Sequence, residues 1–131
     1  MQLGASIDPK ADLMERLEQL PSNLDFVELP IGEMEKPVEN IDREELLKAL
    51  EEENYGLVVH LPFSQPVITR VEEFNQSERD YLKRLLKFSE SINAEKAVLH
   101  PNKRYREDED IISEFRSQLE YLDKVCRENE I

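Results

Sequence analysis

Two histidines, His60 and His100, are the only imidazoles in the chain, and each closes a short apolar run that stops at a proline. The runs read Gly56-Leu57-Val58-Val59-His60-Leu61-Pro62 and Lys96-Ala97-Val98-Leu99-His100-Pro101. Glu28 holds the matching place in Leu24-Asp25-Phe26-Val27-Glu28-Leu29-Pro30. Imidazole changes charge near neutral pH and ligates divalent metals, and a carboxylate beside it can take up or hand on a proton. Glu28, His60 and His100 are therefore the candidate catalytic residues, and His60 and His100 the candidate metal ligands. The plain alternative is a pair of hydrogen-bonded histidines that finish strands, with Glu28 capping a loop amide. The repeated order of strand, histidine and proline favours a site.

Such residues act together only if the fold gathers them, and the patterning says how it does. Leu3-Gly4-Ala5-Ser6-Ile7 reads as a first strand, with Asp8-Pro9 as cap and first position of a helix carrying Leu13, Met14, Leu17 and Leu20. The run ending at Glu28-Leu29 is a second strand. A helix capped at Asp42, with Glu45 three residues on, buries Leu46, Leu47 and Leu50. The run ending at His60 is the third strand. After a loop, a helix is expected from Ser77, with Leu82, Leu85, Leu86 and Ser89 on one face. The run ending at His100 is the fourth strand. A last helix from about Asp108 carries Ile111, Ile112, Phe115, Leu119, Leu122 and Cys126, and Asn129-Glu130-Ile131 looks like the start of a fifth strand.

This is an α/β chain of four consecutive βα units with parallel strands, because each helix supplies the crossover that parallel neighbours need. Side chains two apart on a strand share a face, so Phe26 with Glu28, Val58 with His60 and Val98 with His100 point the same way. The polar member of each pair lies at the carboxyl end, where parallel α/β folds place their active sites. An open doubly wound sheet and part of a (βα)8 barrel both satisfy the pattern. Three glycines, Gly4, Gly32 and Gly56, build neither a dinucleotide fingerprint nor a P-loop. The loop Asn102-Lys103-Arg104-Tyr105-Arg106 gathers positive charge on the same edge; the plain reading is a solvated loop beside acidic Glu107-Asp108-Glu109, and the functional one makes Lys103 and Arg104, with Arg70 in the preceding βα loop, candidate receivers of an anionic group. Cys126, Tyr81, Phe88, Phe115 and Tyr121 read as packing residues.

The pair Val58-Val59-His60-Leu61-Pro62-Phe63 and Val98-Leu99-His100-Pro101-Asn102, with the histidines forty residues apart, resembles the xylose isomerase-like TIM-barrel superfamily. That group holds sugar and sugar-phosphate isomerases and epimerases together with endonuclease IV. The resemblance covers strands one to four of eight and implies half of a (βα)8 TIM barrel. In endonuclease IV the positions matching His60 and His100 bind zinc. In the isomerases and epimerases they line the substrate pocket, and the main ligands of a divalent metal (Zn, Mn or Mg) come from strands five to eight. Two departures count against endonuclease IV: Phe63-Ser64-Gln65-Pro66 replaces its tyrosine and asparagine, and Asn102 its glycine. The implied activity is metal-dependent isomerisation or epimerisation of a sugar or sugar phosphate.

Composition sets the remaining bounds. Thirty Asp and Glu against seventeen Lys and Arg leave a net charge of −13, which repels phosphate backbones and anionic membranes and makes nucleic acid an unfavourable partner. One cysteine excludes an internal disulfide, no apolar run spans a bilayer, and a cytoplasmic location is expected. A (βα)8 barrel takes about 250 residues, so the 131 here are expected to form a single domain, a (βα)4 portion interrupted at the start of strand five. Such a half would bind metal weakly and be inactive alone. The alternative is a non-catalytic half barrel that forms a homodimer through its open edges.

Overall fold

The computed structural model describes residues 1–34, 37–62, 69, 71–100 and 109–128, with side chains in the last stretch from residue 112 onward. Strands and helices alternate: β1 (Gly4–Ser6), α1 (Leu13–Gln19), β2 (Phe26–Leu29), α2 (Arg43–Glu53), β3 (Gly56–His60), α3 (Glu72–Ser91), β4 (Lys96–Val98) and α4 (Glu109–Glu128), with a 3-10 turn at Val38–Asn40 before α2. The four strands form one parallel sheet in the order β1-β2-β3-β4. That strictly sequential order removes the doubly wound alternative, in which the order reverses at a switch point. It is the wall of half a barrel.

Among the described residues, one face of the sheet is covered and the other is open. Val27, Leu29, Leu57, Val59 and Leu61 point towards the helices and are buried, packed with Leu46, Leu50, Leu82, Leu85 and Ile92. Phe26, Glu28, Val58, His60 and Val98 alternate with them and are only half-buried, while Ser6 and His100 are exposed. A period of two along each strand produces this split.

Helix boundaries follow local hydrogen bonding. α2 starts where the sequence places it, Asp42 Oδ1 accepting from Glu45 N at 3.1 Å. α1 does not start at Asp8-Pro9. Asp8 Oδ1 accepts from Lys10 N at 2.9 Å and its carbonyl from Ala11 N at 3.0 Å, which closes a turn. Asp12 then caps the helix by accepting from Met14 N and Glu15 N, both at 3.1 Å. α3 begins at Glu72 and not at Ser77, because Ser77 Oγ donates back to Glu73 O at 3.0 Å inside the helix. α2 and α3 are each followed by an asparagine at positive φ, Asn54 (56°) and Asn93 (57°), the non-glycine residue that best tolerates that conformation.

α3 and α4 are joined by Arg79, whose side chain is 19% exposed. Its Nε donates to Gln118 Oε1 at 3.0 Å, NH2 pairs with Glu114 at 2.9 Å and NH1 with Glu72 at 3.2 Å. The expected apolar stripe of α4 is only half used. Leu122 and Val125 are buried, whereas Ile112 and Leu119 are 44% and 43% exposed, because α4 flanks an end of the sheet with no further element against it among the described residues. The expected fifth strand at 129–131 lies outside the described residues. Among those described, no helix is long and apolar enough to cross a membrane.

Candidate active site

All four strands run the same way, so their carboxyl ends form one edge, and the open face ends there in Ser6, Glu28, His60 and His100. Ser6 and Glu28 are register partners, and Ser6 Oγ donates to Glu28 Oε1 at 3.2 Å. This bond fixes one carboxylate oxygen on the open face. His60 pairs in register with Val98, two residues before His100. The two imidazoles stack, ring centroids 4.8 Å apart and planes 24° from parallel.

The stack is held from below. His60 Nδ1 lies 2.8 Å from Leu61 O. A carbonyl only accepts, so this contact puts the proton of the neutral ring on Nδ1 and the lone pair on Nε2. Pro62, fully buried, anchors the chain just beyond. Against it lies Gly32, at φ +83°, where a Cβ would come 2.6 Å from Pro62 Cγ and 2.9 Å from the Tyr81 hydroxyl. Tyr81 donates to Gly32 O at 3.5 Å, and burial, with Glu78 nearby, raises its pKa and keeps it a donor. The loop leaving β2 is thereby pressed onto the chain leaving β3.

A second anchor lies at the start of α3. Asn75, buried, accepts from Thr69 N at 2.7 Å and donates from Nδ2 to Thr69 O at 3.0 Å, grasping both backbone groups of one residue. Sequence reasoning singled out neither Gly32 nor Asn75 nor Ser6 for the site. A lone glycine shortly after a strand-ending proline, and an asparagine in the first turn of a helix, were the available signals.

The structure brings His60 and His100 into contact and places Glu28 on the same face beside Ser6. Arg70, Lys103 and Arg104 lie outside the described residues. A cleft of about 260 Å³ between the loops that follow β1 and β2 borders none of the three candidate catalytic residues. Its walls include Asp12 and Asp42, whose carboxylates already cap α1 and α2, so these helix starts do not attract an anion. Cys126 is half-buried and its thiol pKa is raised by that burial, which agrees with a packing role.

A divalent metal fits here only in part. His60 and His100 offer two nitrogen donors, but among the described residues no group of three His, Cys, Asp or Glu side chains is close enough to hold an ion. Two donors fall short of the four that zinc takes or the six of magnesium and manganese. These residues do not make a metal centre by themselves.

The model of the xylose isomerase-like TIM barrel family matches residues 19–131. Among solved structures, a D-tagatose 3-epimerase-like protein superposes with a TM-score of 0.78 at 18% sequence identity, over 98% of this chain and 49% of its own. At that identity the likeness shows the fold, and the chain spans about half the length of that protein. No curated protein matches the sequence significantly. With the parallel sheet in barrel order and the family match across most of its residues, the chain belongs to the xylose isomerase-like TIM barrel family.

Proposed function

We propose that this chain supplies one wall of the active site of a sugar or sugar-phosphate isomerase or epimerase that depends on a divalent metal. The observation that carries the reading is the stacked His60–His100 pair at the carboxyl edge of a half barrel of this family. When bound, a metal would polarise a carbonyl or hydroxyl of the sugar, and most of its ligands must come from outside the described residues. His60, with Nδ1 held by Leu61 O, is the imidazole that stands at a substrate hydroxyl and exchanges a proton with it. His100 lies flat against it and limits its rotation. Glu28, steadied by Ser6, is the carboxylate that takes up or returns a proton. Arg70, Lys103 and Arg104 are the groups that would receive a phosphate. The net charge of −13 disfavours the endonuclease branch of the family, which must hold a DNA duplex.

With only two histidines, the imidazole C–H signals in a proton NMR spectrum report on this site alone. D-tagatose, or a ketose phosphate, at millimolar concentration should shift both signals, and His60→Ala should abolish the shift of the His100 signal that remains. Shifts produced by an abasic-site duplex and by no sugar would overturn the reading. Zinc or manganese added to the isolated chain should bind no tighter than micromolar. Sub-micromolar affinity abolished by His60→Ala would show a more complete metal site than two donors make.

A further inference from the structure

Parallel pairing carries register across the sheet, and one row of it holds more charge than a barrel wall needs. Ser6 pairs with Glu28, Glu28 with Val58, and Val58 with Lys96. Register partners share a face of the sheet, so Lys96 lies on the face of Glu28, His60 and His100, opposite to the helix-covered Val27 and Val59. His60 pairs with Val98, so the histidines stand nearer the carboxyl edge than this row. The interior of a (βα)8 barrel is filled mainly by branched apolar side chains. Here one row presents a hydroxyl, a carboxylate, the apolar Val58 and an ammonium. The row beneath is Gly4, Phe26 and Gly56, and the Phe26 ring lies over Gly4, where a Cβ would collide with it. Ser6 binds one oxygen of Glu28, and Lys96 has no ion-pair partner among the described residues.

A lysine that starts a strand can lay its stem on the sheet and send its ammonium to water. Its place in this row favours a role in the site. Glu28 and Lys96 are two strands apart, about 10 Å between main chains, and both side chains are long enough to converge above Val58, which stands between them. We infer that Lys96 is a further catalytic residue of the candidate site, its ammonium pairing with the substrate oxygen on which negative charge develops while Glu28 moves the proton. The inference rests on the sugar isomerase or epimerase reading and adds to it a cation carried by a strand. Glu28 takes the proton from the carbon beside the carbonyl. The C–H electron pair becomes the C=C bond of an enediolate, and the carbonyl π pair ends on the oxygen facing Lys96. Return of the proton to carbon restores a neutral sugar, with no oxidant or further reactant. A cation held in place beforehand stabilises that oxygen without having to reorganise. A substrate seated over Val58 lies between a carboxylate and an ammonium, with the imidazoles towards the mouth.

An aldonate such as D-gluconate carries a negative oxygen permanently, and D-tagatose does not. Followed by the histidine signals without added metal, D-gluconate should bind the whole chain at least about fivefold more tightly than D-tagatose. Lys96→Met should erase that preference and leave the affinity for D-tagatose within about twofold, while Lys96→Arg keeps most of the preference. A carbodiimide, which joins a carboxyl to an amine in contact with it, should yield a Glu28–Lys96 cross-linked peptide from the unaltered chain, and D-gluconate should suppress it. Should Lys96→Met fail to fold, the cross-link and its suppression decide. If D-tagatose moves the histidine signals but the preference survives Lys96→Met, or the cross-link does not form, this inference falls while the sugar reading stands. If neither D-tagatose nor D-gluconate moves any signal, both fall.

Discussion

His60 is placed by a residue that shares no sequence neighbourhood with it. Gly32 sits on Pro62, two positions beyond His60, at a φ of +83° that only glycine adopts without cost. Alanine there would combine left-handed strain with a methyl 2.6 Å from Pro62 Cγ. Pro62 is fully buried and cannot yield, so Gly32→Ala should destabilise the fold by about 2–4 kcal/mol. The His60 and His100 signals should shift as well, because the chain between His60 and Pro62 moves. Urea titration with proton NMR checks both, and a loss below about 0.5 kcal/mol with unmoved signals would show that Gly32 does not press on the site. The histidines were legible in the sequence because a rare residue type recurs at one position of a repeated pattern. Gly32, Asn75 and Ser6 were not, because each acts through a contact across the fold: Gly32 with Pro62 and Tyr81, Asn75 with a loop residue, Ser6 with Glu28 on the neighbouring strand.

Among the elements, the alternation of strands and helices and the buried faces of α2 and α3 were readable from periodicity, and Leu46, Leu50, Leu82, Leu85, Leu86 and Ser89 are all buried. The strand order, open between a doubly wound sheet and a barrel, came only from the pairing. The start of α3 was not readable, because Ser77 has the chemistry of a cap but spends its hydroxyl on the preceding turn. The α3–α4 join was equally hidden, being a polar contact between residues 39 apart. Arg79 provides it. Arg79→Leu would leave the buried Gln118 Oε1 without its donor and Glu114 without its cation, at a cost of about 2–3 kcal/mol. Glu72→Gln, at the exposed arm of the same cluster, should cost less than about 0.5 kcal/mol. Equal losses from the two would place the stability elsewhere than in the Arg79–Gln118 contact. Next to Arg79 in the chain, Glu78 Oε1 is buried with no hydrogen-bond partner among the described residues, and burial raises the pKa of its carboxyl above the usual carboxylate value. A raised folded-state pKa means that the fold favours the protonated acid. Its contribution is therefore most favourable below the unfolded pKa and is lost as pH rises through the folded one. Glu78→Gln should raise the melting temperature at pH 7 and change it little at pH 4. A larger gain at pH 4 than at pH 7 would contradict that sign.

At the scale of the whole molecule, charge sets two tendencies against each other. Ion pairs such as Lys48–Glu52, Lys124–Glu128 and Arg127–Asp123 link exposed side chains one helical turn apart, where water weakens them and salt screens what remains. The net charge of −13 repels itself throughout the surface, and 22 glutamates and 8 aspartates outnumber the cations too heavily for local pairing to cancel it. The screening length is about 30 Å at 10 mM salt and about 8 Å at physiological strength, so repulsion across the molecule is felt at the first and confined to near neighbours at the second. Long-range repulsion should dominate short-range pairing here. The melting temperature should rise by several degrees between those two conditions. A midpoint that stays level or falls would mean that the exposed ion pairs outweigh the net charge. Lowering pH towards the isoelectric point near 4.6 removes the same repulsion by protonation, so the salt effect should shrink as that pH is approached.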